Sequence, residues 1–447
     1  MSNKISLATA IGLASLSLGA HADTAQHGFI EDSTATLTAR NFYINNDNRD
    51  GAAKPSKVEE WGQGFILNFA SGFTQGTVGF GVDAIGLYGI RLDSSTAKHG
   101  NLNGNAAGGS VFPSDGNEAV GQFASLGVTG KMKISETVLR IGTLQPNNPV
   151  VKTNDGRLLP QTFQGGEIKS NEIKDLTLTV GKLEHAKGRN STNNEGLSIA
   201  NANGGSNYDT GKFSNKFYYG GADYKINKDL TASYYYGELK EFYSQNFLGL
   251  VHNWAIGPGV LKSDLRYYRS RDNGANSHDP AYFSPGYYGG NTTKGKVDND
   301  LYSYLALYSV AGHTFGGGYQ VSNGDSDFPW LNQGDGSSNS TITDSQIQKF
   351  ARAGERTWQV RYGYDFAALG LPGFTVNAVY LKGNDIDTTS GSRSEWERDL
   401  SVAYVLQEGA LKGLGFTWKN AMWRTDLPNT RSQDENRAIV SYTYKFM

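Results

Sequence analysis

The side chains of this sequence that could do chemistry are cations on one face of its alternating segments. Reading every second position across from the apolar stripe places Arg40, Lys131, Lys133, Arg140, Lys262, Arg266, Arg361, Lys419 and Arg437 on a shared polar side. Their neighbours on the other side are apolar: Leu139 and Ile141 flank Arg140, Val360 and Tyr362 flank Arg361, and Trp418 precedes Lys419. A row of ammonium and guanidinium groups makes a potential well for carboxylates, and guanidinium pairs with them through two parallel hydrogen bonds. A water-filled lumen needs polar walls in any case, but most of these cations lack an anion two residues away on the same face. Asp264, however, sits between Lys262 and Arg266. Asp83, Glu397 and Asp399 share the polar side and would form an opposing acidic wall that orients the far end of a solute.

Other chemistry is absent or weak. Gly79-Phe80-Gly81-Val82-Asp83-Ala84 matches a dinucleotide-binding pattern, but period-two alternation runs straight through the glycines, which a strand-to-helix turn would not allow. Asn291-Thr292-Thr293 fits the glycosylation pattern, a match too short to imply more than a surface loop. His27, His99, His185, His252, His278 and His313 lack metal-ligand spacing, and there is no cysteine, so no metal, cofactor or thiolate chemistry is expected. No nucleophile elbow or zincin pair occurs, so an enzyme is not expected.

These cations must be held by strands. In the last stretch, Ala438, Val440, Tyr442, Tyr444 and Phe446 fall on one face and Arg437, Ser441, Thr443 and Lys445 on the other. Alternation alone does not say which face is wet. The context decides for the membrane: many such segments, no long helical pattern, and an export signal at 1–22 with Lys4, an apolar core from Ile5 to Leu18 and the small-x-small Ala20-His21-Ala22. Eighteen candidate strands follow within a single domain, 23–447: 33–43, 59–70, 76–92, 119–133, 138–145, 163–172, 175–184, 213–226, 229–240, 246–256, 259–270, 298–310, 313–322, 355–367, 373–383, 395–406, 412–424 and 434–446. Tight connections at 72–75, 227–229, 311–312, 368–372 and 407–411 alternate with long polar ones at 93–118, 146–162, 185–212, 271–297 and 323–354. Short turns on one rim and long loops on the other are what the two sides of an outer membrane demand. An even strand number closes with both termini on one side.

Composition agrees. There are 57 glycines, 25 tyrosines and 21 phenylalanines but only 11 prolines, the mixture needed for turns and for aromatic girdles at two interfaces. No run approaches the roughly 18 apolar residues of a membrane helix. A net charge of −2 argues against a nucleic-acid binder.

Several long stretches resemble the OprD family of substrate-specific outer-membrane porins: GFIEDS at 28–33, ARNFYIN at 39–45, the run from Gln63 to Ser95, KMKISETVLRIGTLQP at 131–146, LPQTFQG at 159–165, the run from Ala353 to Thr375, that from Glu395 to Asn420, and DENRAIVSYTYKF at 434–446. The resemblance implies a closed all-β barrel of 18 antiparallel strands in the outer membrane of a Gram-negative bacterium, surrounded by lipid and lipopolysaccharide, as a monomer or loose trimer. It implies a lumen narrowed by an inward-folded third loop at about 146–165, and passive uptake of small carboxylate solutes along a basic ladder. Arg40, Lys133, Arg140, Lys419 and Arg437 fall on positions that are basic in the family, whereas Thr417 stands where the closing-strand pattern often has a second cation. GKVDNDLYSYLALY at 295–308 and SDFPWLNQGDGSS at 326–338 are similar to the branch that takes aromatic and cyclic monocarboxylates, including benzoate. The alternatives are a porin for basic amino acids, or a barrel scaffold or adhesin acting through its loops.

Overall fold

A computed structural model describes residues 28–49, 56–99, 111–200, 213–274, 297–332, 340–428 and 430–447. Residues 1–22, read as an export signal, and His27, His278 and the Asn291 triplet lie outside the described residues. The first nine wall strands are β1 (Thr34–Asn48), β2 (Lys57–Ala70), β3 (Val78–Asp93), β4 (Gln122–Ile134), β5 (Thr137–Leu144), β6 (Thr162–Ile173), β7 (Leu176–Lys187), β8 (Phe217–Lys225) and β9 (Leu230–Leu239). The second nine are β10 (Tyr243–Ile256), β11 (Gly259–Asp272), β12 (Asp298–Val310), β13 (His313–Asn323), β14 (Arg356–Asp365), β15 (Phe374–Ile386), β16 (Arg393–Val405), β17 (Gly415–Thr425) and β18 (Gln433–Lys445). Each pairs antiparallel with the next, and β1 closes on β18 from Thr36 opposite Lys445 to Asn48 opposite Gln433. Glu195–Gly196 adds a short extra strand beside β7.

Closure leaves no sheet edge, the condition for a strand structure to sit in hydrocarbon. The outward stripe is the one read from alternation. Leu126 is 74% exposed, Ile141 59%, Leu248 53% and Val360 51%, while their strand neighbours turn inward. The glycine run in β3 is a wall segment: Gly81 faces Lys131, whose side chain occupies the space a Cβ would need. At the lower rim Ala311 and Gly312 adopt positive φ of 50° and 83°, a mirror-image turn that suits the twist of β12 and β13.

Strand ends shift where small side pairings compete. Glu118–Ala119 pairs with Ser114–Asp115, so β4 begins at Gln122 and not at 119. Ser214 bridges Leu197, so β8 begins at Phe217 and not at 213.

The inside of the barrel is packed by loops. Loop 2 (94–121) sends Val111 and Phe112 against Phe42, Ile44 and Leu158. It is pinned by buried His99, whose Nδ1 meets Glu60 at 2.7 Å and whose Nε2 meets Ser114 Oγ at 2.7 Å, while Val111 N–H donates to the other Glu60 oxygen. Loop 3 (145–161) turns into the lumen as expected, burying Val150, Val151, Leu158 and Leu159; residues 162–165 belong to the wall. The connection read as the long outer segment 323–354 also turns inward. Its Phe328, Trp330 and Leu331 join the core around Val150 and Tyr268, and Phe350 packs on Leu381 and Trp423.

Candidate solute pathway

The inward cations divide by whether a loop reaches them. Arg40 on β1 makes a two-armed pair with Asp155 of loop 3 at 2.7 and 3.0 Å and donates to the carbonyls of Arg157 and Leu158. Arg437 on β18 donates to Glu435 at 2.6 Å, to Gly156 O of loop 3, and to Gln346 O of the 340–353 segment. Arg266 on β11 is clamped by Asp264 at 2.7 and 2.8 Å and donates to Ser340 O. Arg361 on β14 donates to Gln359 and, at 2.6 Å, to Ile342 O. Lys131 on β4 meets Asp83 at 2.6 Å and Ser71 O at 2.6 Å, with Phe73 below its ammonium. Guanidinium suits this anchoring role because its fixed fork holds two carbonyls or a carboxylate at once.

The two inward loops meet. Ser340 Oγ donates to Asn148 O, and the Tyr268 hydroxyl lies within reach of both Pro149 O and Ser340 O.

The acidic residues expected to oppose the ladder are also engaged. Asp83 is the partner of Lys131. Glu397 on β16 is fully buried and accepts from the backbone N–H of Ile347 at 2.8 Å and Gln348 at 2.9 Å, and Asp399 accepts from Gln346 N–H at 3.1 Å. Two inward carboxylates thus cap three successive amides of the inward segment.

Lys133, Arg140, Lys262 and Lys419 make no hydrogen bond or ion pair among the described residues. Lys419 is half-buried on β17, opposite Arg437 across the β17–β18 pair. Arg140 lies opposite Lys131 on one side and Glu167 on the other. Lys262 is exposed near the lower end of β11.

Sequence reading passed over Glu167 on β6 and Asp223 on β8. Glu167 accepts from the Tyr219 hydroxyl at 2.9 Å; Asp223 accepts from Tyr235 at 2.6 Å and Ser233 at 2.5 Å. The signal was present: Glu167 sits between Gly166 and outward Ile168 in an alternating strand.

The family model for outer membrane porins of the OprD family matches residues 27–446. The chain belongs to the OprD family. Three solved structures carry the likeness further. OccK8 (OprE) of Pseudomonas aeruginosa is 59% identical, with a TM-score of 0.84 over 94% of this chain and 100% of that one. OpdK of Pseudomonas aeruginosa, crystallised with vanillate, is 34% identical with a TM-score of 0.81 over the same shares. A BenF-like porin from Pseudomonas fluorescens Pf-5 is also 34% identical, at 0.81, over 94% and 100%. This OprD-family porin is therefore a multi-pass outer-membrane channel and not an enzyme. Within it, Thr417 shares the face of Lys419 on β17, two residues below it, so that strand presents one unpaired cation at that height.

Proposed function

We propose that this porin takes up small organic anions and prefers monocarboxylates that carry a ring, benzoate-like, over lysine- or arginine-like solutes. The observation that carries this reading is the inequality of the inward charges. Lys133, Arg140 and Lys419 keep unengaged cationic heads, while Asp83, Glu397 and Asp399 are occupied by Lys131 and by loop amides. A permeating carboxylate finds donors without having to displace a protein anion. An ammonium group finds its acidic partners already bonded, which disfavours basic amino acids.

The preference for a ring draws on the likeness to OpdK, whose structure holds vanillate, an aromatic monocarboxylate. Proteoliposomes carrying the purified porin test the reading. Benzoate should enter several-fold faster than arginine at equal concentration; faster entry of arginine overturns the assignment.

A further inference from the structure

On the wall formed by β4 to β9, one row of inward positions runs Lys131, Arg140, Glu167, Gly181, Tyr219 across successive strands. Arg140 and Glu167 are direct cross-strand neighbours, a placement in which opposite charges attract and usually close on each other, since their Cβ atoms stand about 5 Å apart. They do not close here. Glu167 has turned the other way and accepts the Tyr219 hydroxyl at 2.9 Å, and Arg140 has no partner among the described residues. We propose that Tyr219 is a positioning residue: by holding the Glu167 carboxylate away, it keeps the Arg140 guanidinium open to the carboxylate of a permeating solute.

The strand between them is built for this. Gly181 lies under the tyrosine ring, and a Cβ there would overlap its outer carbon and its hydroxyl oxygen. Only glycine lets the ring lie flat across β7 and span the distance from β8 to β6. Phe217, two residues along β8, stacks on the ring at a centroid distance of 6.1 Å and fixes its tilt. A shorter contact of related kind lies one strand further: Tyr235 on β9 lies over Gly221 and donates to Asp223, two residues along that same strand β8, at 2.6 Å. Glu167 and Asp223 are thus both held by buried tyrosines.

The consequence for selectivity is specific. A Glu167 released from Tyr219 has Arg140 as its direct cross-strand neighbour, and an ion pair between them would fill the guanidinium fork that a solute carboxylate requires. The proposal rests on the carboxylate reading above, and the experiment separates the two. Single channels in planar bilayers are titrated with benzoate, and the concentration that halves open-channel current is compared for wild type, Arg140→Gln, Tyr219→Phe, Gly181→Ala and the double variant Tyr219→Phe/Glu167→Gln.

Arg140→Gln should weaken block by about tenfold, the effect of losing one charge-assisted contact. Tyr219→Phe should weaken it by a similar factor, and Gly181→Ala should follow because its methyl displaces the ring. The double variant should return to within about twofold of wild type, since a neutral amide in place of the Glu167 carboxylate no longer competes as an anion. If Arg140→Gln weakens block and Tyr219→Phe does not, the positioning role is wrong and the carboxylate reading stands. If Tyr219→Phe weakens block and the Glu167→Gln change fails to restore it, Tyr219 acts by packing and the proposal falls. If Arg140→Gln changes nothing, Arg140 is not on the solute path and the positioning role falls, while the carboxylate reading is decided by benzoate against arginine uptake in proteoliposomes.

Discussion

Arg437 illustrates how a lumen cation becomes part of the scaffold. It is 7% exposed, and its three donor groups go to Glu435, Gly156 O and Gln346 O, so one side chain ties β18 to both inward loops. Parity alone placed it on the inner face, as it did Arg40, Arg140, Arg361 and Lys419, because a period of two is fixed by the pleat. Whether a loop carbonyl would reach it was not legible, since Gly156 and Gln346 lie far away along the chain. Replacing Arg437 by Gln removes the cation bonded to buried Glu435, which keeps Arg157 nearby and the amides of Gln346 and Asn46, so the loss falls below the roughly 3–5 kcal/mol of a fully broken buried pair. The expected outcome is increased cleavage near Gly156 and Gln346 by added protease and noisier open-channel current. Lys228→Gln in an exposed lower turn, the control, should leave both unchanged.

At the scale of elements, the strands were readable and the inward course of 340–353 was not. Eighteen segments showed alternation strong enough to locate, with errors at their ends: β1 runs on to Asn48 and not 43, β10 begins at Tyr243 and not 246, β17 begins at Gly415 and not 412, and side pairings of Ser114–Asp115 and Ser214 trim β4 and β8. The inward segment has no periodicity. It is held by contacts such as Ile347 N–H to Glu397, 50 residues apart, which no local pattern encodes. Loop 3 was placed inside by family resemblance, and its Pro146 and Pro149 suit an irregular path.

The root of the inward segment is acid-sensitive. Asp327 is 1% exposed and accepts Ala353 N–H at 2.8 Å. Burial pushes its carboxyl up to about 7, against the opposing pull of the Arg352 guanidinium and the Ala353 amide, with Glu395 adding to the rise. Burial also raises Glu355 well above its usual range, reinforced by Glu395, which Arg352 clamps at 3.0 and 3.3 Å and Trp423 caps. A carboxyl raised in the docked state binds its proton more tightly there. Docking is therefore favoured most below the ordinary aspartate value of about 4, loses stability as pH rises from there to about 7, and changes little through Asp327 above that. Channel noise from this segment should be lower near pH ~5.5 than near pH ~8. Asp327→Asn, which keeps an oxygen for Ala353, should flatten that difference; an unchanged pH dependence in the variant would place the titrating group elsewhere.

For the whole molecule, the total charge of −2 says little about what passes through it. An ion in the pore responds to charges within about 8 Å at physiological salt, and rim charges beyond that are screened. Inside, Asp83, Glu397 and Asp399 are bonded to Lys131 or to loop amides, while Lys133, Arg140 and Lys419 are not engaged. The central claim is that these three cations set the selectivity of the channel against the sign of its net charge. The direct test is the reversal potential in a potassium chloride gradient, for wild type and for the triple variant Lys133→Gln/Arg140→Gln/Lys419→Gln. The account predicts an anion-selective wild type and a variant whose anion-to-cation permeability ratio falls, with the larger fall at low salt. A cation-selective wild type, or a triple variant with unchanged reversal potential, would contradict it.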